Sequence, residues 1–542
     1  MDDSFGVNYT IPSYVQKLFR TFERADKKDG IISQAENKIE IGESISKLAF
    51  VYEKIRNAID YKEEHLMKKN AIWRILKRRF VPGCDTNEIA EPLIKELILG
   101  GYAKNNTIPE SQITKIKVII DKYTELINHI YYIHTKSDRH KIYDWLISIC
   151  ACEIEEDLSY NVTERALIDF MFFTLSERIV LKNTHKYKDI RDIQIYISIL
   201  KTLVRYDPDM ISYNILRYYY PSWHNLTKPV CEEIAMHIYK IKFKIELQLN
   251  HPLAEQLNRL VRKYVPIFTI LKDIIVIDPK KAFDLIQEPK SLDKVIKDAC
   301  KKKYLDVRAK LKRTSFRSII YIFLTKMMIA LILEIPYELF IATGKIDYFP
   351  LSINIIFHPL LLFLIALVIR VPSDENTNKI IRGVKDIIYN YKGKNIKHYI
   401  KIPIKRGVFI RSLFQILYSI AYIITFGGII FILYTLHFNI ISMILFILFL
   451  SLVTFFGIKV RQGAQELLVL DQKSGMIMTI INFFSVPIIR AGRWMSVKFS
   501  KINFFVFFFD VIIEAPFKLL IEVFEDWSTY IKEKKEEIYD RD

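Results

Sequence analysis

Hydrophobic and polar positions fall into two regimes that meet near residue 318. Before it, apolar residues recur in steps of three and four; after it, they fill runs of about twenty. Ile41, Ile45, Leu48, Tyr52, Ile55 and Ile59 trace the seam of a heptad, which resumes at Leu66, Trp73, Leu76 and Phe80 until Pro82 and Gly83 end it. The spacing predicts one long helix, broken near Lys62. A second seam runs through Ile113, Ile116, Ile120, Tyr123, Ile127 and Ile130. Such seams pair within a chain or zip onto a partner, and packing within the chain is expected here. Further helical patterns cover 139–158, 164–181, 192–206, 231–248 and 253–277, with breaks at Asp207 and Pro208, Pro221, Pro252, and Asp278 and Pro279. No stretch sustains period-two alternation with hairpin turns, and no repeat of fixed period is present. The expected fold class is therefore all-α, a cytosolic helical domain followed by a four-span membrane domain.

The run 318–340, SIIYIFLTKMMIALILEIPYELF, would measure roughly 34 Å as a helix, enough for a hydrocarbon core of about 30 Å. Spans follow at 351–369, 412–435 and 439–458. The domain plan is a cytosolic part over 1–310, a transmembrane part over 311–460, and amphipathic or re-entrant helices over 461–542. Basic residues orient it. Lys301, Lys302, Lys303, Arg308, Lys310, Lys312, Arg313 and Arg317 border the first span, and the connector 370–411 is rich in Lys and Arg. The short connectors 342–350 and 436–438 hold only Lys345 between them. Basic flanks stay on the cytoplasmic side, so both ends are expected inside. The basic run would also lie against anionic headgroups.

Beyond the fourth span, 476–489 is too short to cross and is interrupted by Pro487. Arg490, Arg493, Lys498 and Lys501 then alternate with Trp494, Val497, Phe499 and Ile502, the composition of a helix lying in the interface. The stretch 503–524 carries Asp510, Glu514, Lys518 and Glu522 at i, i+4, i+8 and i+12, a polar stripe on an apolar cylinder. It reads as an interfacial or re-entrant helix, with a fifth span as the competing reading.

Composition changes this picture little. The net charge of +18 has a bland explanation in the residues flanking spans, and the densest basic run is juxtamembrane, so no nucleic-acid partner is expected. The five cysteines, Cys84, Cys150, Cys152, Cys231 and Cys300, form no CxxC pair and precede the first span, as reduced cytosolic thiols would. The opening MDDSFGVNYTIPSYV lacks a basic n-region and an apolar h-region, so insertion is expected to depend on the internal spans.

Candidate chemistry concentrates in the first two spans. Lys326, Glu334 and Glu338 are charges inside an apolar run, tolerated there when paired, wet or turned toward other helices. The two spans run in opposite directions. Glu334 lies six residues, about 9 Å, below the outer end of the first, and His358 seven residues, about 10 Å, below the start of the second. Glu338 and Asn354 match in the same way nearer the surface. The expected result is a pair of polar rungs, Glu334 with His358 and Glu338 with Asn354. Such rungs serve either as a proton or cation site or as glue fixing how the spans pack. The runs LILEIPYEL around Glu334 and VIIEAPFKL around Glu514 share Glu-x-Pro-aromatic-charged-Leu, a short echo that two bent helices lining one cavity would produce.

Enzyme signatures are missing. There is no Walker loop, no GxSxG, no HExxH and no dinucleotide fingerprint. His129, His134 and His140 with Cys150 and Cys152 fit no standard metal spacing, so neither metal nor cofactor is expected. Trp223 and His224 read as a turn, and Arg217 to Tyr220 as core.

The EIPYE of Glu334 to Glu338, the SIN of Ser352 to Asn354 and the HPL of His358 to Leu360 resemble bacterial multi-spanning membrane proteins of unknown function. The likeness lies mainly in the membrane half. It implies a multi-pass protein of the bacterial inner membrane and carries no site residues. With over half the chain a soluble helical array bearing two seams, the expected role is a non-enzymatic membrane anchor or scaffold that binds a protein partner or itself. The alternative is a transporter or channel subunit using the intramembrane charges Lys326, Glu334, Glu338, His358, Asp510 and Glu514.

Overall fold

Helices account for nearly all of the regular structure in the computed structural model, which describes residues 11–29, 37–40, 63–80, 87–133, 136–159, 161–182, 188–342, 345–369, 372, 374–389, 397–401, 407–465, 467–469, 476–501, 523, 527 and 530–531. The chain forms two units. One holds the described residues up to Val261 together with the strand at 398–401; the other holds Arg262 to Tyr389 and 407–501.

In the first unit, α1 is Ser13–Asp29, α2 Glu64–Arg79, α3 Asn87–Leu99, α4 Ser111–Ile133, α5 Lys136–Leu158, α6 Val162–Arg178, α7 Lys188–Ile199, α8 Pro208–Tyr219 and α9 Lys228–Leu249. Helix ends follow local chemistry. The Asn161 side chain accepts from the backbone N–H of Thr163 and Glu164 at the start of α6, and Asp207 caps α8 with Pro208 at its first position. The second seam lies on α4, where Ile116, Ile120, Tyr123, Ile127 and Ile130 are buried against α3, α5 and α9. Packing within the chain is thus its outcome. Of the first seam, Leu76 and Phe80 are buried around α2, while positions 41–62 lie outside the described residues.

A small sheet departs from expectation. Strands β1, Ile179–Lys182, and β2, His398–Lys401, pair in parallel with Ile179 opposite His398 and Lys182 opposite Lys401. Four residues are too few to display alternation, and the partner strand comes from the connector after the second span. That connector therefore contributes a strand to the amino-terminal unit.

The second unit begins within α10, Ala254–Ile277, and continues with α11, Pro279–Leu285, and α12, Pro289–Ile329. The basic run and the first span are one continuous helix, and residues 262–310 fall in the second unit. Two π turns, Ala330–Glu334 and Glu338–Ala342, flank Ile335–Tyr337. Pro336 sits between them. Proline removes an N–H and crowds the carbonyl four residues back, and a wider turn on each side accommodates it without breaking the span. The remaining helices are α13, Tyr348–Val368; α14, Asp374–Tyr389; α15, Val408–Thr435; α16, Ile440–Gln465; and α17, Met476–Lys501.

Four helices are long and apolar enough to cross a membrane: Pro289–Ile341, Tyr348–Leu367, Val408–Thr435 and Ile440–Arg461. All four expected spans are therefore present, and the protein is a membrane protein. Ile322, Leu362 and Val453 form one buried cluster between α12, α13 and α16, and Leu433, Phe438, Phe446 and Leu450 form another. On α15 most apolar side chains remain exposed, the surface that hydrocarbon would cover.

α17 corrects one reading. Pro487 does not end the apolar run; the helix, 26 residues in all, continues through it and packs on α15 and α16. Gly492 makes this approach feasible, because a Cβ there would lie 2.0 Å from the Ser451 carbonyl oxygen. The stretch 503–524, with Asp510, Glu514 and Lys518, lies outside the described residues, apart from position 523.

Candidate functional site

The intramembrane polar residues converge. Lys326, Glu334, Asn354 and His358 are each 0% exposed, and Glu338 is buried beside them. Lys326 on α12 places its Nζ 3.5 Å from Glu334 Oε1 and 4.5 Å from the centre of the Phe449 ring on α16. Asn354 Nδ2 on α13 donates to the same Glu334 oxygen. Glu338 accepts from the Asp347 backbone N–H at 3.2 Å and from Asn439 Nδ2 at 2.9 Å, and Asn439 in turn accepts from the Ser442 backbone N–H at the start of α16. Two sets of polar contacts thereby tie the first span to the second and to the fourth. Each contact is strengthened by its dry surroundings and would be costly to leave unmade.

The rungs are shifted from the expected pairing. Glu334 meets Asn354 and Lys326, not His358, and Glu338 meets Asn439 and the start of α13, not Asn354. The first span runs on to Ala342 and the second starts at Tyr348, capped by Asp347, so the outer ends lie beyond those that hydropathy marks. Measured from these ends, Glu334 falls midway between Asn354 and His358, so depth does not choose between them; the contact made is with Asn354. His358 instead faces two carbonyl oxygens, Asn354 O at 3.1 Å from Nδ1 and Phe446 O at 3.0 Å from Nε2. A neutral imidazole can donate to only one of them. Phe446 and Phe449 pack edge-on around the ring. Glu334 Oε2, Asn354 Oδ1 and Ser451 Oγ are buried without a hydrogen-bond partner.

The first unit holds two buried clusters that sequence patterning missed. Glu153 on α5 is 1% exposed and accepts from Lys122 Nζ at 2.5 Å, Tyr123 OH at 2.7 Å and Trp223 Nε1 at 3.1 Å, with His224 Nδ1 at 3.1 Å. Burial pushes its carboxyl up, but the hydrogen bonds from His224 and Lys122 and the Lys122 charge outweigh that and hold it below the usual range. In the second cluster Lys69 Nζ lies 2.7 Å from Asp207 and 3.1 Å from Asp209, which also accepts from Ser148. Burial pushes the Lys69 ammonium down; the charges of Asp207 and Asp209 and the hydrogen bond to Asp207 oppose this and raise it. Trp223 is thus an anchor and not merely a turn. Tyr218 and Tyr219 are half exposed, and Arg217 binds Glu156, so the expected core at 217–220 is only partly core. These contacts join residues 30 to 140 positions apart, and no local pattern announces them.

His129 pairs with Glu125, and His140 with Asp144. Cys150 and Cys152 are free and buried, with thiols pushed up by burial, and His134 and Cys84 lie outside the description. Among the described residues, no group of three or more His, Cys, Asp or Glu could hold a metal ion. Comparisons with protein-family models, with curated proteins and with solved structures find no match for the chain.

Proposed function

We propose that the protein is a multi-pass anchor or scaffold of the bacterial inner membrane, whose soluble helical unit binds a protein partner on the cytosolic side. One observation carries the reading. Helix α9 has two apolar faces: Cys231, Ile234, Ala235, Ile238, Ile241 and Ile245 are buried, while Met236, Tyr239, Phe243 and Leu247 stand exposed at i, i+3, i+7 and i+11. That exposed spacing is a seam wide enough to receive an amphipathic helix, flanked by Lys240 and Lys244 on one side and Glu232 and Glu246 on the other. The polar rungs suit an anchor because they pin the spans to one another. The location rests on the basic residues bordering the first span and filling the connector 370–411, together with the strand that this connector lends to the soluble unit.

The test is site-specific photo-crosslinking in intact cells. A crosslinker at Phe243 or Leu247 should give a discrete protein adduct that one at the exposed Lys115 does not. Met236→Glu with Phe243→Glu should abolish an adduct formed from Tyr239 without altering helicity or the melting temperature. Equal adducts at all positions, or none, would overturn the reading.

A second reading, a transporter or channel subunit, draws on the unpartnered Glu334 Oε2 and Asn354 Oδ1 beside a π turn, a geometry that recurs where helices do chemistry. Glu334→Gln separates the two in sealed vesicles. An anchor shows no proton-coupled flux to lose, whereas a transport subunit loses flux out of proportion to any fall in its accumulation.

A further inference from the structure

We propose that the juxtamembrane face of α12 forms a binding site for an anionic membrane lipid. A cleft of about 1580 Å³ opens there, larger than the roughly 300–1,000 Å³ of most small-molecule pockets. One face of α12 lines it: Lys297, Lys301, Tyr304, Arg308, Lys312, Ser315 and Ile319 recur every three or four residues, with Phe316 beside them. The opposite wall comes from the inner end of α13, at Phe363, Ala366, Leu367 and Ile369, and from the start of α14, at Asp374, Thr377 and Asn378.

Polarity is graded along this face. Phe316, Ile319, Phe363 and Leu367 make an apolar end level with the inner ends of the two spans. Arg308 and Lys312 follow at roughly 10 Å and 5 Å from Ser315 along the helix axis, the depth of a headgroup phosphate. Lys297 and Lys301 make the polar mouth. The acidic groups lining the cleft are Asp298 at that mouth and Asp374 at the start of α14. Among the described residues neither Arg308 nor Lys312 is held in an ion pair, whereas Lys303 on the same helix is bound 2.8 Å from Asp273. Ser315, where the basic and apolar ends meet, is 6% exposed, and its hydroxyl has no hydrogen-bond partner. An acyl chain on the apolar wall, a phosphate between Arg308 and Lys312, and an ester or phosphate oxygen accepting from Ser315 would satisfy all of these groups together.

The experiment is native mass spectrometry of the delipidated full chain, titrated with phosphatidylglycerol, with phosphatidylcholine or with inorganic phosphate alone. The site predicts phosphatidylglycerol adducts that persist where phosphatidylcholine is stripped, with no matching phosphate adduct. Arg308→Gln with Lys312→Gln should weaken phosphatidylglycerol binding by about 30-fold, at about 1 kcal/mol for each basic group removed. Lys310→Gln with Arg313→Gln removes the same charge from exposed positions of α12 outside the cleft and should leave that binding within about threefold of the unmodified chain. Equal losses in the two variants would reduce the effect to diffuse attraction and overturn the site. So would equal retention of the two lipids, or phosphate bound as well as lipid.

Discussion

Lys326→Met tests the buried network where its physics is sharpest. At 3.5 Å the Lys326–Glu334 attraction amounts to about 5 kcal/mol at an effective dielectric near 20, set against the desolvation of both groups. Removing the lysine alone leaves Glu334 buried with only Asn354 for a partner and forfeits the contact with Phe449. The expected loss is about 3–5 kcal/mol. Replacing both groups, Lys326→Met with Glu334→Leu, removes the charge and its penalty together and should cost under about 2 kcal/mol. The coupling between the two substitutions is therefore about 2–3 kcal/mol or more. The assay is a double-mutant cycle on equilibrium unfolding of the full chain in mixed micelles. If the losses simply add, or if Lys326→Met unfolds no more readily than the unmodified protein, the pair does not hold the spans and the reasoning fails.

Three further outcomes follow from other parts of the structure. Gly492→Val drives a side chain into the Ser451 carbonyl and should cost about 1–3 kcal/mol in the same unfolding assay, whereas Gly428→Val on α15, where a Cβ meets nothing within 4 Å, should cost under about 1 kcal/mol. Trp223→Phe keeps most of the buried volume but removes the indole N–H from Glu153, and should lower stability by about 1–2 kcal/mol, read as a lower melting temperature. Burial pushes the Glu155 carboxyl up from 4.5 to about 7, so the folded chain retains a proton that the unfolded chain has released. Its stabilising contribution is full below pH 4.5 and is lost as pH rises to about 7, a change of roughly 3 kcal/mol. Glu155→Gln should therefore gain stability relative to the unmodified chain at pH 8 and gain none at pH 4; a pH-independent difference would contradict this.

The spans were legible because twenty apolar residues in a row have few other fates. The second seam was legible for a related reason: Ile116 to Ile130 repeat at the helical period, and the structure buries that face. The polar network was legible only as membership. Lys326, Glu334, Asn354 and His358 stand out as polar residues in apolar runs, but which meets which depends on how the packed helices turn their side chains, which hydropathy does not fix. The Lys326–Glu334 pair was invisible to spacing, because residues eight apart lie about 80° apart on a regular helix and this span passes through a π turn. The Glu153 and Lys69 clusters join separate helices, and β1 meets a strand more than two hundred residues away, so no local period could signal either. Pro487 misled in the other direction. A proline inside an apolar run marks a break only where nothing else supports the helix, and α17 packs on α15 and α16, with Thr425 Oγ1 of α15 donating to its Phe484 carbonyl.

The anchor reading depends on which side of the lipid each connector occupies. Single cysteines at Lys345 and Tyr434, probed with a membrane-impermeant maleimide on intact cells, should label at once. A cysteine at Lys397, on the connector that supplies β2, should label only after the membrane is opened. The reverse pattern, or equal labelling at all three positions, would contradict the account.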